Sequence, residues 1–463
     1  MDKDLASFAI KYLQKKKVDY AEARLITEEI NSFMLKNSNP EMAYFDEIKG
    51  LGIRFIIKNN LNFVALNTLT KEKVKQAINK TIKMNKSKNS SKPEFSSSET
   101  NKKSYKVTQK VKLNSLDPKE KLKILTELDK TIKEAQSRYI SLKDSYTEKY
   151  FINTEGSEIY SKIPKIKLFY FITLRNKSSI QRYEQFGSTS GYEVLKKWNL
   201  NQHAANEIKN LKLNLEKGVK SPTGKLDIVA GPEVSGIIAH EAGGHPYEAD
   251  RIFGREAAQA GESFINPEML QTRIGSDHIS IIDDPTIENS YGFYLYDDEG
   301  VKAKKKVLVK NGIINEFLHD RSTSKQMNRL SNGSARASYF NVEPMVRMSN
   351  TYVKPGNFKE EELIEGVKDG IYLKSFMEWN IDDLRLNQKY VGCESYLIKN
   401  GKITQPVKSP ILEITTPVLF SSVDAAANNL KFFVGNCGKG EPGQTMPVWL
   451  GGPSIRLRNI DIR

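Results

Sequence analysis

The spacing of apolar residues switches between a helical and an alternating period several times along this chain, which limits it to folds that mix helices with antiparallel strands. Residues 5–17 carry apolar side chains at helical spacing, as an amphipathic helix would. Around 23–34 and 41–57 the pattern alternates, with Asn39-Pro40 between the two runs as turn residues, and residues 62–66 alternate again. Residues 71–86 return to a helical period with an exposed, polar composition. The stretch 87–106, KSKNSSKPEFSSSETNKKSY, has little to bury and reads as a linker or mobile loop. Asp117 before Pro118 is a helix-start signal for KEKLKILTELDKTIKEAQS. Alternation then returns on both sides of a Glu155-Gly156 turn, and residues 195–215 close the first half as a helix.

The second half begins with a strand at 225–230 and a helix opening at Gly231-Pro232-Glu233. Beyond it, YGFYLYDDEGVKAKKKVLVKNGIINEFLHD carries turn signals at Asp298–Gly300 and Asn311-Gly312, which predict a three-stranded meander. Helices are expected at 322–329 and 360–368, a hairpin at Asn400-Gly401, a helix over 422–430 entering a glycine-rich loop, and a closing strand SIRLRNIDI. With 463 residues, the chain exceeds one ordinary core. The fold class is therefore α+β: a mixed α/β N-terminal region with antiparallel strands, then a strand-rich C-terminal domain. The expected units are an α/β subdomain 1–86, the linker 87–106, a middle α/β subdomain 107–220 and a C-terminal domain 221–463.

Composition narrows the function classes. No apolar run approaches the roughly 20 residues needed to cross a bilayer, and the N-terminus lacks the apolar core of an export signal, so a cytoplasmic protein with no membrane partner is expected. Two cysteines, Cys393 and Cys437, are too few for a disulfide framework. The net charge of +15 comes from the first half: residues 1–220 hold 43 Lys and Arg against 25 Asp and Glu, the remainder 28 against 31. Much of that excess lies in a Ser- and Asn-rich stretch with few aromatic residues, a solvated surface more than a platform for nucleic acid.

Chemistry concentrates in GPEVSGIIAHEAGGHPYEAD, where His240 and His245 flank Glu241. The spacing is one residue longer than the zincin His-Glu-x-x-His. Positions five apart diverge by roughly 140° around a regular helix, so both imidazoles reach one metal only if the helix is distorted. Gly243-Gly244 tolerates unwound or left-handed backbone, and Pro246 disfavours helix at His245, giving a bent metal-binding helix. Glu241 would then stand beside the metal as a base for an attacking water. Catalytic zinc commonly takes three protein ligands. For the third, the residue types allow Cys437, Cys393, His278, His319, Glu248, Asp250, Glu256 and Glu262. Cys437 stands out because VGNCGKGEPG sets its thiol in a glycine-rich turn, whereas Cys393 in KYVGCESYLI reads as a packed small hydrophobe. His203, His278 and His319, taken singly, read as ordinary surface or core histidines. The rival reading is a basic binding or scaffold protein with a structural metal or none.

At these residues the sequence resembles the TldD/PmbA (TldD/TldE, modulator-of-gyrase) family of metallopeptidases, in its metal-carrying TldD branch. Five ordered segments carry the likeness: AHEAGGHPYEAD, LYDDEGVKAKKKVLVKNGIINEFLHDR, RMSNTYVKPG, SYLIKNGKITQPVK and NCGKGEPGQTMPVWLGGPSI. The resemblance implies one Zn2+ per chain held by His240, His245 and Cys437, with Glu241 catalytic. It also implies a dimer enclosing the metal site, either a homodimer or a heterodimer with a metal-free TldE/PmbA-like paralogue, and extended peptide substrates that pair with strand edges. Family members are associated with maturation of ribosomally made peptides and turnover of antitoxin peptides. FMEWNIDDLRLNQKYVG departs from a glycine-rich stretch common among relatives, which puts the substrate-side loop in question.

Overall fold

Long runs of alternation build the N-terminal half around a single sheet; the computed structural model describes residues 2–85, 93–254, 262–440 and 443–463. In space the strands run Asn60–Leu66, Asn39–Ile57, Tyr20–Lys36, Ser137–Asn153, Glu158–Arg175 and Lys102–Lys106, with Ser179–Ser188 also paired to Glu158–Arg175. All neighbours are antiparallel except Lys102–Lys106, which lies parallel to Glu158–Arg175. Because side chains alternate between faces, Ala21, Ala23, Leu25, Phe33 and Leu35 share one side of Tyr20–Lys36 and are buried. Helices Lys3–Lys15 and Lys71–Met84 pack on one end of that face. Pro118–Thr131 and Leu200–Lys217 cover the other. Asp117 starts its helix with a reciprocal capping box to Glu120, satisfying two backbone donors at once.

The opposite face is polar and meets the C-terminal half through ion pairs. Arg54 sits 2.8 Å from Glu22 and 2.6 Å from Glu299, all three buried. Arg24 and Lys149 both reach Asp298. The acidic turn of the second half thus docks on the basic centre of the first.

In the C-terminal half a ten-stranded sheet and a six-stranded sheet enclose the main apolar core. The six-stranded sheet runs Ile313–Ile314, Lys306–Lys310, Ile281–Asp283, Asn350–Val353, Gln444–Gly452 and Lys431–Lys439. Helix Pro232–Glu241 follows strand Gly224–Ala230 and packs on Asn350–Val353, Gln444–Gly452 and Lys431–Lys439.

The structure corrects several expectations. Of the predicted meander only the second hairpin forms, Lys306–Lys310 with Ile313–Ile314, around Asn311 and Gly312 at φ of 49° and 73°. Upstream there is one bridge, Tyr296 to Lys302. There the Asp297 carboxylate accepts from the backbone N–H groups of Glu299, Val301 and Ala335, and so competes with ladder formation. Residues 422–430 are not a helix. The helix is Thr416–Ser422, and Val423–Ala426 pairs with Ile455–Ile462, burial of Val423 and Ala425 overriding the helix preference of a run of alanines. The first hairpin turns at Asn37 and Ser38, both at positive φ, and Pro40 already belongs to the strand. Residues 87–92 of the expected linker lie outside the described residues. The described part of that stretch is tied down, since the Ser96 N–H donates to the Arg321 carbonyl and Lys102–Lys106 is a sheet edge.

Candidate metal centre

Helix Pro232–Glu241 starts with proline in its first turn and is buried along its whole length. It ends at its C-cap, Ala242. A Cβ on Gly243 would lie 2.8 Å from the Ala239 carbonyl oxygen, and one on Gly244 would overlap Met348 and come within 2.7 Å of the His240 oxygen. The two glycines therefore serve close approach. Neither is among the positive-φ glycines, so the left-handed backbone considered from sequence is not used. The chain leaves the helix at Glu241, turns, and re-enters a 3-10 turn at His245–Tyr247. That break replaces the angular divergence of an unbroken helix and brings the two imidazoles together, centroids 4.9 Å apart at 79°.

Cys437 arrives from the other end of the chain. It lies within strand Lys431–Lys439, paired to Met446, and not in the glycine-rich turn expected from sequence. Its Sγ is 3.3 Å from His245 Nε2. One donor atom from each of His240, His245 and Cys437 falls within 4.8 Å of the others, and all three residues are buried. Tetrahedral coordination with bonds of about 2.0–2.3 Å places donors on the order of 3.5 Å apart, so the cluster is of the right size. Two further observations favour an ion. His240 Nδ1 is buried with no hydrogen-bond partner among the described residues. Burial opposes a Cys437 thiolate, but His245 and Arg347 outweigh it and bring the thiol down to about 7. Imidazole and thiolate donors suit zinc and related transition metals, and not magnesium or calcium.

The other candidates for a third ligand stand elsewhere. Glu248 accepts from, or faces, His245 Nδ1 at 2.9 Å, which directs Nε2 toward Cys437. Its carboxylate is held well below the usual range because Lys439, His245 and Arg251 outweigh its burial. Asp250 pairs with Lys439 at 2.6 Å. His319 is buried against Thr323, and burial with Arg329 nearby pushes it down to about 4. His278 and Glu262 are exposed, and Glu256 lies outside the described residues. Cys393 is buried near the Gln181 carbonyl, with its thiol pushed up to about 12 by burial.

Glu241 stands beside the cluster, Oε2 4.0 Å from His245 Nε2. Its carboxylate is gripped by residues that sequence reasoning did not single out. Trp379 Nε1 donates to Oε1 at 3.1 Å and Arg385 Nη1 to Oε2 at 3.0 Å. Burial alone would raise the Glu241 carboxyl, but His245, His240, Arg385 and Trp379 together lower it. Both donors come from the hairpin Phe376–Ile381 and Asn387–Gly392, with Arg385 at φ 64° in its tip. The one sequence signal was that this segment departs from the family pattern.

Comparison with known proteins agrees with this architecture. Models of the PmbA/TldA metallopeptidase domain 1, central domain and C-terminal domain match residues 21–84, 111–215 and 223–463. A metalloprotease of Methanocaldococcus jannaschii is 34% identical over 447 residues, covering 95% of this chain and 96% of that one. A zinc metalloprotease TldD homolog of Saccharolobus solfataricus is 26% identical, covering 89% and 90%. Among solved structures, a Thermotoga maritima chain described as a modulator of a DNA gyrase superposes with a TM-score of 0.80 at 16% identity, covering 100% of both chains. TldE from Thermococcus kodakarensis gives 0.75 at 17%, covering 99% of each. The chain belongs to the PmbA/TldD family of metallopeptidases.

Proposed function

We propose that this protein is a zinc-dependent peptidase of the TldD type that hydrolyses short or unfolded peptides, with His240, His245 and Cys437 as metal ligands and Glu241 as general base. The observation that carries the reading is the convergence of those three donors, with the Glu241 carboxylate 4.0 Å from His245. Bound there, a zinc ion would supply Lewis-acid polarisation of the scissile carbonyl and of the attacking water. Glu241 takes the proton from that water on one carboxylate oxygen and returns it to the departing amine. Trp379 and Arg385 fix the plane of the carboxylate, each occupying one oxygen and leaving lone pairs for the proton. Glu248 fixes the ring of His245, and Arg347 donates to the Cys437 carbonyl, setting the strand that presents the thiol.

Strand Phe376–Ile381 ends its sheet, and its Trp379 touches Glu241. An extended peptide pairing along that edge would lie beside the carboxylate, reading backbone more than side chains. The likeness to TldE supports assembly as a dimer, homomeric or with a metal-free TldE/PmbA-like paralogue. No described helix is long and apolar enough to cross a membrane, and a cytoplasmic location fits a buried thiol that must stay reduced.

Glu241→Gln is expected to keep close to one zinc per chain while losing peptide hydrolysis by at least a hundredfold. Metal analysis paired with a peptidase assay, with and without chelator, tests this. Undiminished hydrolysis in that variant would falsify the assignment of Glu241.

A further inference from the structure

The polar face of the N-terminal sheet closes, against the C-terminal half, around a cavity of about 320 Å3. That is at the small end of ligand-sized cavities, roughly 300–1,000 Å3. Its sheet wall carries Lys143, Lys165 and Lys167. Lys143 and Lys167 are direct cross-strand partners, and Lys165 is opposite Ser145. Like charges directly opposite each other in a sheet are destabilising. Lys167 is nevertheless only 8% exposed; its ammonium lies 5.7 Å from the Phe169 ring centre, and none of the three ammonium groups has a hydrogen bond or ion pair among the described residues. Lys149, on the same face, shows the contrast, since it is paired to Asp298. Burial, with the neighbouring cations, pushes Lys165 and Lys167 down to about 8. Glu28, two strands away on Tyr20–Lys36, acts on Lys165 in the opposite sense.

The opposite wall includes Arg336, whose guanidinium donates to the Met348 and Pro447 carbonyls and forms no ion pair among the described residues. It also includes Asn436 and Met446, the neighbour and the cross-strand partner of Cys437. The cavity therefore reaches the hairpin that supplies the thiol of the metal centre.

We propose that this cavity is a binding site for carboxylate side chains of an acidic peptide, held in extended form next to the metal centre. Lys165 and Lys167 project from alternate positions of one strand, a repeat of about 6.6–6.8 Å, which is also the repeat of same-side residues in an extended peptide. Carboxylates at every second residue would meet successive ammonium groups. A carboxylate between Lys143 and Lys167 would turn a repulsive pair into a bridged one. Glu28, Asp297 and Asp298 on the same walls break up the positive field, which disfavours a nucleic-acid backbone that needs continuous neutralisation. This inference rests on the peptidase reading for the meaning of the peptide, but its test does not require turnover.

The experiment measures fluorescence anisotropy of a labelled eight-residue peptide of alternating Glu and Ser on full-length Glu241→Gln protein, with alternating Gln and Ser as control. The Glu peptide should bind at least tenfold more tightly, and high salt should weaken it. In the Lys143→Ser, Lys167→Ser double variant its Kd should rise at least tenfold. That variant should melt at or above the parent temperature, because the facing charges are gone; Lys165→Gln, expected to weaken binding several-fold, serves if the double variant does not fold. Equal affinity for the two peptides, an unchanged Kd in the variants, or tighter binding of a short oligonucleotide would each overturn the site. Binding as expected in a wild-type protein that hydrolyses nothing would sink the peptidase reading and leave the site standing.

Discussion

Among the described residues two clusters have the composition of a metal site, and they differ in what already bonds their donor atoms. His240, His245 and Cys437 converge with no cationic side chain bonded to their donor atoms among the described residues, although Arg347 lies near enough to favour the thiolate, and among those residues His240 Nδ1 has no hydrogen-bond partner. Glu184, His203 and Glu207 converge as closely. There, however, the Arg182 guanidinium already bonds Glu184, Glu207 at 2.7 Å and Glu233 at 2.6 Å. A fixed guanidinium already bonds the carboxylates of the second cluster, whereas no such group bonds the donor atoms of the first among the described residues. Proximity of ligand-type residues does not by itself define a metal site; what separates these two clusters is whether a cation is already bonded to their donor atoms.

The largest effect should come from removing that built-in cation. Arg182→Ala strands three carboxylates around a side chain that is only 4% exposed, and should cost on the order of 3–5 kcal/mol in denaturant unfolding. A change below about 1 kcal/mol would erase the contrast between the clusters. In the metal centre, Glu248→Gln should weaken zinc affinity about 10–100-fold in chelator competition, because His245 loses its orienting carboxylate. If affinity holds, His245 is positioned by something else. Arg385→Ala should lower kcat roughly tenfold, the worth of one charge-assisted hydrogen bond, with zinc content unaltered. A matching loss of zinc would move Arg385 from the carboxylate to the ion.

The smallest effect is a pH dependence. Burial pushes the Glu233 carboxyl up to about 7 despite Arg182. Between its ordinary pKa, near 4.5, and about 7 the folded state holds more protons than the unfolded one, so this stabilising contribution is complete below the lower value and lost as pH rises through the upper. Glu233→Gln should flatten the decline in melting temperature between pH 5 and 8, and an unchanged slope would assign the decline to other groups.

The sequence made legible what local rules control. Alternation marked the long strands, Asp117 and Pro118 marked a helix start, and Asn311-Gly312 marked a hairpin. The same rules misplaced Cys437 and the 422–430 helix, because strand pairing with residues 446 and 455–462 decided both. Legible too was that the helix carrying His240 breaks at Gly243-Gly244, although glycine is needed there for close approach to Ala239 and Met348 and not for backbone handedness. Trp379 and Arg385 lay beyond reach, since they meet Glu241 only through contacts spanning 138 and 144 positions.

The contact between Cys437 and His245 joins residues 192 positions apart. During synthesis the imidazoles leave the ribosome long before the thiol, and a donor pair without its third member grips an ion weakly. On the ligand set proposed above, loading with metal would follow synthesis of the hairpin that carries Cys437, and a chain stalled before it would lack the thiol.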